Sequence, residues 1–497
     1  MSQLTPVYTL PEDVVTGIFK TAYEHHFPHC RLDDGMPHTH SPVAVSHVSR
    51  RWRGYALSVP TIWTCIHVTP GQHSRYAEVI KAYLIRSREL PISIFFLCHT
   101  IRDRQSWYPW DAFRRIYWLR YKSCWKYLLA ERHRWKNCAV YLGHQRSLTL
   151  LLQSIEGKAF PRLEYFGLSP RILPAITNKT LPDFNTPQLM HLRIDSLPGI
   201  TGSPLKVFTH LTQLNISGAY SGVGIFLKML RQASATLQSL TVGRTTFSSG
   251  DDLALPSELT LTLPQLTHLT LSGIAYDTET IPNMTVVLCR AATFLCDLSL
   301  GESADTPDSL AFEGLFLPTV RKLKSEMLPP RTRESILAFP GLVTLQAPNN
   351  CTEILARAIE LDTEVGTGCT AWPELKTVVV EDVEEAELVD FVEHRAHVQH
   401  PLRTLVMKDS SLSKLSAQTM TILQKLKLNV LRRSDASAAL QIDDGWTSAY
   451  WDPAYDKPIL VPWENSTAFY DQFRATEEEG EFKLEADYSE ESEEGEE

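Results

Sequence analysis

The chain has 497 residues, 43% of them hydrophobic and 21% charged, with a formal net charge of −10 at neutral pH. That is ample for a sizeable core, length sets a prior of about three domain-sized units or fewer for a repeat array, and no window reaches about eighteen uninterrupted apolar residues, which excludes a membrane-spanning helix. The charge is uneven: Glu477 to Glu497 hold twelve acids and one lysine, so the rest of the chain is close to neutral and no general basic or acidic field is expected. The first predicted element follows Leu10, with Pro11 at its opening position and Glu12 and Asp13 in its first turn, where acids favour the positive end of a helix. Val14, Val15, Ile18, Phe19 and Ala22 recur at spacings of three and four and give that helix one broad apolar face. A second helix is predicted from Ser41 as N-cap and Pro42, with Val45, Val48 and Trp52 as its stripe and Arg50, Arg51 and Arg53 on the other side.

These residues resemble an F-box, the short helical module that docks substrate receptors onto the Skp-type adaptor of cullin (SCF) ubiquitin ligases. The resemblance rests on Leu10-Pro11-Glu12-Asp13, Ile18-Phe19, Val45-Ser46, Val48-Ser49-Arg50-Arg51-Trp52-Arg53, Ala56, Pro60 and Trp63. It extends through Tyr83-Leu84, Arg86-Ser87, Leu90-Pro91-Ile92 and Ile94, which is similar to the segment after the F-box in many fungal members. The loop from His25 to His40 is longer than usual for the family, and Ser49 stands where a cysteine is common. The resemblance implies adaptor contacts at Leu10, Pro11, Val14, Ile18, Phe19, Val45, Val48, Ser49, Trp52 and Trp63. About fifty residues bury only part of so much apolar surface alone, so some of it must face another element or another protein.

Residues 69–160 read as a helical, aromatic-rich linker with the first irregular repeats; Trp107, Trp110, Trp118, Trp125 and Trp135 stand among many arginines. A basic-aromatic nucleic-acid surface is one reading, but a packed layer with its basic residues outside is the commoner outcome, and no nucleic-acid partner is expected. From Leu163 a pattern of L-x-x-L-x-L takes over, at Leu163, Leu189, Leu211, Leu237, Leu266, Leu295, Leu342, Leu375 and Leu402, with a weaker copy at Val320. The starts lie 22 to 33 residues apart. That matches the leucine-rich repeat, whose period is roughly 20–29 residues. Each short strand turns three residues inward, and only stacked units bury that face, so the expected fold is α/β: a helical module followed by an irregular solenoid over 161–433, parallel sheet concave and helices convex.

The alternating positions of those strands face outward. They include Tyr165, His191, Arg193, Asp195, Gln213, Asn215, His268, Lys322 and Lys324, with balanced charges and small hydroxylated residues in the centre. Two readings of the row stand, a solvated sheet face or a surface for a target protein; no phosphate-binding stripe is present. Residues 434–475 read as an extended cap over the open end of the array, and 476–497 as a disordered acidic tail.

Several constellations carry less. His25, His26, His29, Cys30, His38 and His40 crowd together, but their spacing fits no standard zinc site, and a polar insertion without metal is the expectation. His394, His397 and His400 repeat every three residues and drift around a helix. The turn Ser217-Gly218 to Gly222-Val223-Gly224 is similar to the glycine turn of short-chain dehydrogenases, yet none of the seventeen tyrosines has a lysine four residues on. No catalytic residue and no cofactor are expected. Nine cysteines without a close CxxC pair fit reduced thiols, and the N-terminus lacks a basic start and an apolar run, so a cytoplasmic or nuclear location is expected. The function that the resemblance implies is a non-catalytic substrate receptor of a cullin ligase; a leucine-rich-repeat scaffold whose first helices merely cap the solenoid, and a nicotinamide-dependent oxidoreductase at the Gly218 turn, are its rivals.

Overall fold

The computed structural model describes residues 10–26, 42–68, 76–98, 122–142, 145–170, 185–195, 209–218, 220–248, 261–276, 284–301, 315–325, 333–347, 351–365, 371–380 and 383–432, all within one compact unit, Met1–Asp443. His29, Cys30, His38 and His40, the side chains of His25 and His26, Trp107, Trp110 and Trp118, the 434–475 cap and the 476–497 tail lie outside the described residues.

Helix α1 (Glu12–His26) begins after Pro11 with the two acids in its first turn. The second predicted helix is two: α2 (Pro42–Ser46) and α3 (Arg50–Ser58). Ser49 makes the break, because its backbone is extended (φ −160, ψ 165) and its hydroxyl accepts the Trp52 amide at 3.1 Å, an N-cap that starts a new helix. A 3-10 turn, Pro60–Trp63, leads from α3 into the sheet.

Fourteen strands form one sheet in chain order: β1 (Cys65–Val68), β2 (Ile92–Cys98), β3 (Trp135–Leu142), β4 (Tyr165–Pro170), β5 (His191–Asp195), β6 (Gln213–Ser217), β8 (Ser239–Gly243), β10 (His268–Ser272), β12 (Asp297–Leu300), β13 (Lys322–Ser325), β14 (Thr344–Ala347), β15 (Thr377–Val380), β16 (Thr404–Met407) and β17 (Asn429–Arg432). Every neighbouring pair is parallel, and β1 and β17 are the two ends of an open sheet. Three short strands, β7 (Tyr220–Gly222), β9 (Thr246–Ser248) and β11 (Ala275–Tyr276), pair parallel in a second sheet. Helices occupy many of the crossovers: α4 (Tyr76–Arg86), α5 (122–130), α6 (Gln145–Ile155), α7 (Val223–Ala233), α8 (Met284–Ala291), α9 (Arg333–Leu337), α10 (Cys351–Val365), α11 (Glu385–His397), α12 (Asp409–Leu412) and α13 (Ala417–Lys425). The protein is therefore mixed α/β, with a long open parallel sheet compatible with a solenoid-like arrangement. Among the described residues no helix is long and apolar enough to cross a membrane.

One ladder explains why the units stack. Leu192, Leu214, Leu240, Leu269, Leu298, Leu323, Leu345, Val378 and Leu405 are register partners on successive strands, and each is buried. Burying a side chain of this kind is worth about 1.5–3 kcal/mol, and a lone unit has no partner to bury it against. A proline turn sets the entry to the strands. Pro161, Pro187, Pro264, Pro318, Pro340 and Pro373 each follow a buried residue whose carbonyl accepts the amide three residues on, at 3.0 to 3.3 Å. Proline at the second position of such a turn fixes the φ that the turn needs.

The segment 69–160 departs from its predicted helical character. It contributes β2 and β3, and the sheet begins still earlier, at Cys65, within the stretch assigned to the first helical module. Several of its described aromatics are core: Tyr83 meets Trp63 (5.1 Å), Phe96 meets Trp125 (5.3 Å), Trp125 meets Trp135 (5.4 Å) and Trp135 meets Phe160 (5.1 Å). Buried rings such as Trp125 and Trp135 offer no face to a nucleic-acid base.

Candidate functional site

Two surfaces carry the residues that the sequence singles out. The first is the helical module. Phe19 (4% exposed) packs edge-on against Trp52 at 5.2 Å, fixing α1 on α3. Arg51 reinforces that contact, donating to the Leu10 carbonyl at 2.8 Å, while Tyr23 bonds Thr64 at 3.0 Å and ties α1 to the start of the sheet. This packing divides the α1 stripe. Val15 and Phe19 point inward, while Val14 (42%) and Ile18 (48%), one helical turn apart, remain exposed together with Pro11. Among the described residues Val48, at 61%, is the most exposed large apolar residue of the module; Leu10, Val45 and Trp52 are half-buried.

Three of the expected adaptor contacts have other employment. Trp63 is fully buried, its Nε1 donates to the Ala56 carbonyl at 2.8 Å, and the Arg86 guanidinium lies over its ring at 4.4 Å. It anchors the module to the sheet and has no surface to give a partner. Phe19 is likewise a packing residue, and Ser49 serves as the α3 cap. Leu57 on α3, 40% exposed, is an apolar surface residue that the sequence pattern did not single out.

The second surface is the sheet face opposite the leucine ladder. Register places His191, Arg193 and Asp195 of β5 beside Gln213, Asn215 and Ser217 of β6, then Ser239, Thr241 and Gly243 of β8, His268, Thr270 and Ser272 of β10, Asp297 and Ser299 of β12, and Lys322 and Lys324 of β13. Its two ends are apolar and closed. Phe95, Ala139 and Tyr165 form a buried cluster near the first strands, and Val379 and Val406, with Leu431 against them, form one near the last. Tyr165, expected to face solvent, is thus core on this face.

Charged residues between those ends are largely paired among themselves. Arg193 Nε lies 3.0 and 3.2 Å from the Asp195 carboxylate oxygens. Burial pushes the Asp195 carboxyl above its ordinary range, against the opposing pull of Arg193 and a hydrogen bond from Ser169. Asp297 takes His268 Nε2 at 3.1 Å and Lys322 Nζ at 3.6 Å. Its carboxyl sits below the ordinary range: desolvation opposes ionisation, but the His268 hydrogen bond and the Lys322 charge outweigh it. Lys324 is half-buried. The neutral residues differ. Among the described residues no internal hydrogen bond engages the side chains of Gln213, Asn215, Ser217, Thr241, Thr270, Ser272 or Ser299, and Ser299 Oγ is also sealed from solvent.

The remaining candidates resolve into structural roles. Gly218 (φ +63) donates its amide to the Gly243 carbonyl at 2.8 Å, and left-handed residues recur after β8 and β10 at Arg244 (φ +46) and Gly273 (φ +56). The glycine turn is therefore a repeat feature, used three times. His394 bonds Asp362 at 3.1 Å and His400 bonds the Pro373 carbonyl at 2.9 Å, so these two histidines serve different partners. Among the described residues no group of three or more His, Cys, Asp or Glu is placed to hold a metal ion. Burial pushes the Cys124 thiol up to about 11 and the Cys289 thiol up to about 12, away from nucleophilic character. No known family model matches the chain, and no curated protein does either.

Proposed function

We propose that the protein is a substrate receptor of a cullin (SCF-type) ubiquitin ligase: an F-box-like module, α1 to α3, holds the Skp-type adaptor, and a leucine-rich-repeat array holds a target protein. The observation that carries this reading is the division of the module. Its packing consumes Val15, Phe19 and Trp63, yet leaves Val14, Ile18 and Val48 uncovered. Three large aliphatic side chains on one small helical module are the raw material of a protein interface, because burying them stabilises a complex through the same hydrophobic term that stabilises a core. The receptor performs no chemistry; it raises the local concentration of target beside the transferring enzyme, and proximity supplies the acceleration.

A second reading has its own support. Tyr23 bonds Thr64 and the buried Trp63 anchors the module to the first strands, as expected of helices whose task is to cap the sheet end of a repeat scaffold. Co-expression with a Skp-type adaptor separates the two. A stable complex supports the receptor; a well-folded chain that elutes alone supports the scaffold.

A further inference from the structure

We propose that the central polar face of the sheet, over β6 to β12, binds an extended polypeptide segment that is uncharged and rich in hydrogen-bonding groups. This rests on the reading of that face as the target surface and names the class of target it fits. The face is bounded, because the apolar clusters at Phe95 and at Val406 close both ends and leave the polar window between them. One charge centre, Arg193 with Asp195 on β5, borders that window, and the other, Asp297 with His268 and Lys322, crosses it from β10 to β13; both are already satisfied internally. An ionic partner would have to compete with these pairs, and such competition yields little net energy.

What the window offers instead is a field of neutral donors and acceptors. Asn215, Ser217, Thr241, Thr270 and Ser272 are engaged by no internal hydrogen bond among the described residues, whereas the Ser299 hydroxyl is shut off from solvent and is not part of this offer. Hydroxyls and amides of this kind match peptide N–H and C=O groups, which alternate along an extended chain. The strands from β6 to β12 span roughly 14 Å at about 4.8 Å per strand, the length of about four extended residues. Small side chains let such a segment approach closely, and neutral recognition carries little dependence on ionic strength.

The test uses the purified full chain and synthetic peptides of about fifteen residues, more than long enough to cross the window, in three sets: neutral (Ser, Thr, Asn, Gln and Gly), the same with Asp and Glu interspersed, and the same with Lys and Arg. The expected result is binding within the neutral set that changes less than about twofold between roughly 50 and 500 mM salt. The Thr241→Val, Thr270→Val variant keeps side-chain shape and removes two hydroxyls; it is expected to bind about thirtyfold more weakly. Preference for the acidic or basic set with steep salt dependence, retention of no peptide, or unchanged binding by the folded variant would each overturn the proposal. Adaptor binding depends on neither threonine, so co-expression with the adaptor reports separately on the receptor reading.

Discussion

Replacing Arg395 by Met exposes what holds the last units of the array together. Arg395 lies on α11, is 1% exposed, and donates from Nη1 to the Ala371 and Trp372 carbonyls (3.0 and 3.1 Å) and from Nη2 to the Leu375 carbonyl (3.1 Å). These carbonyls belong to the turn that enters β15, where Trp372 is held at φ +49, a left-handed conformation that a bulky residue adopts only under constraint. Met fills most of the volume and donates nothing, so three carbonyls lose a charged donor, and of these the Trp372 carbonyl keeps the Leu375 amide. Hydrogen bonds from a charged group are worth about 1.5–3 kcal/mol each, and recovered guanidinium desolvation offsets about half of their sum, leaving a loss of roughly 2–4.5 kcal/mol. In a stacked array that loss is local, because each unit leans mainly on its neighbours. Amide hydrogen exchange on the intact chain reads it directly. Thr377–Val380 and Thr404–Met407 are expected to exchange about two to three orders of magnitude faster in the variant, while His191–Asp195 is unchanged. Equal exchange in β15 and β16 to within about tenfold refutes the reasoning.

Gly341 admits no side chain: a Cβ there lies 2.2 Å from the Pro318 carbonyl oxygen, so Gly341→Ala forces the proline turns of neighbouring units apart, and its urea midpoint is expected to fall. The two aspartates of the polar face predict opposite pH effects. The folded-state pKa of Asp195 is raised, so its contribution is present at low pH and lost as pH rises through that value; Asp195→Asn therefore gains stability relative to wild type as pH increases, measured as the difference in urea midpoints. The folded-state pKa of Asp297 is lowered, so its contribution is present above the ordinary aspartate range and lost as pH falls; Asp297→Asn loses stability relative to wild type as pH increases, and the same slope for both variants contradicts the assignment.

How much of this was legible in the chain follows from which residues carry a period. The strands β4 to β16 were readable because one buried residue recurs per unit, and even the weak copy at Val320 and Leu323 marks β13. The first three strands hid because residues such as Phe95 and Ala139 are buried on the second face as well, so Ile92–Phe96 and Cys138–Val140 show no alternation. The small second sheet has strands of two or three residues with no apolar signature, and Arg244 takes its left-handed turn without the glycine that announces it elsewhere. A recoverable signal was the proline two residues before the first apolar residue of six units, a leucine in five and Val320 in the sixth. At the helical module the sequence marked α1 but ran α2 and α3 together across Ser49, and it could not divide the apolar face of α1. Val14 and Val15 are the same residue type side by side; only the packing of Phe19 on Trp52 decides which one faces out. On the polar face charge drew attention to Arg193, His268 and Lys322, which the fold pairs internally, and away from the hydroxyls between them.

The most direct test of the receptor is the affinity of the purified full chain for a purified Skp-type adaptor, measured for wild type and for Val14→Glu, Ile18→Glu. Both positions are at least 42% exposed, so the variant keeps its fold, which circular dichroism and the urea midpoint establish on the same sample. The account predicts a stable wild-type complex and a loss of at least about thirtyfold in the variant, the effect of disabling a central interface anchor. Equal affinity of the two proteins, or no complex with folded wild type, contradicts it and leaves α1 to α3 as the cap of a scaffold.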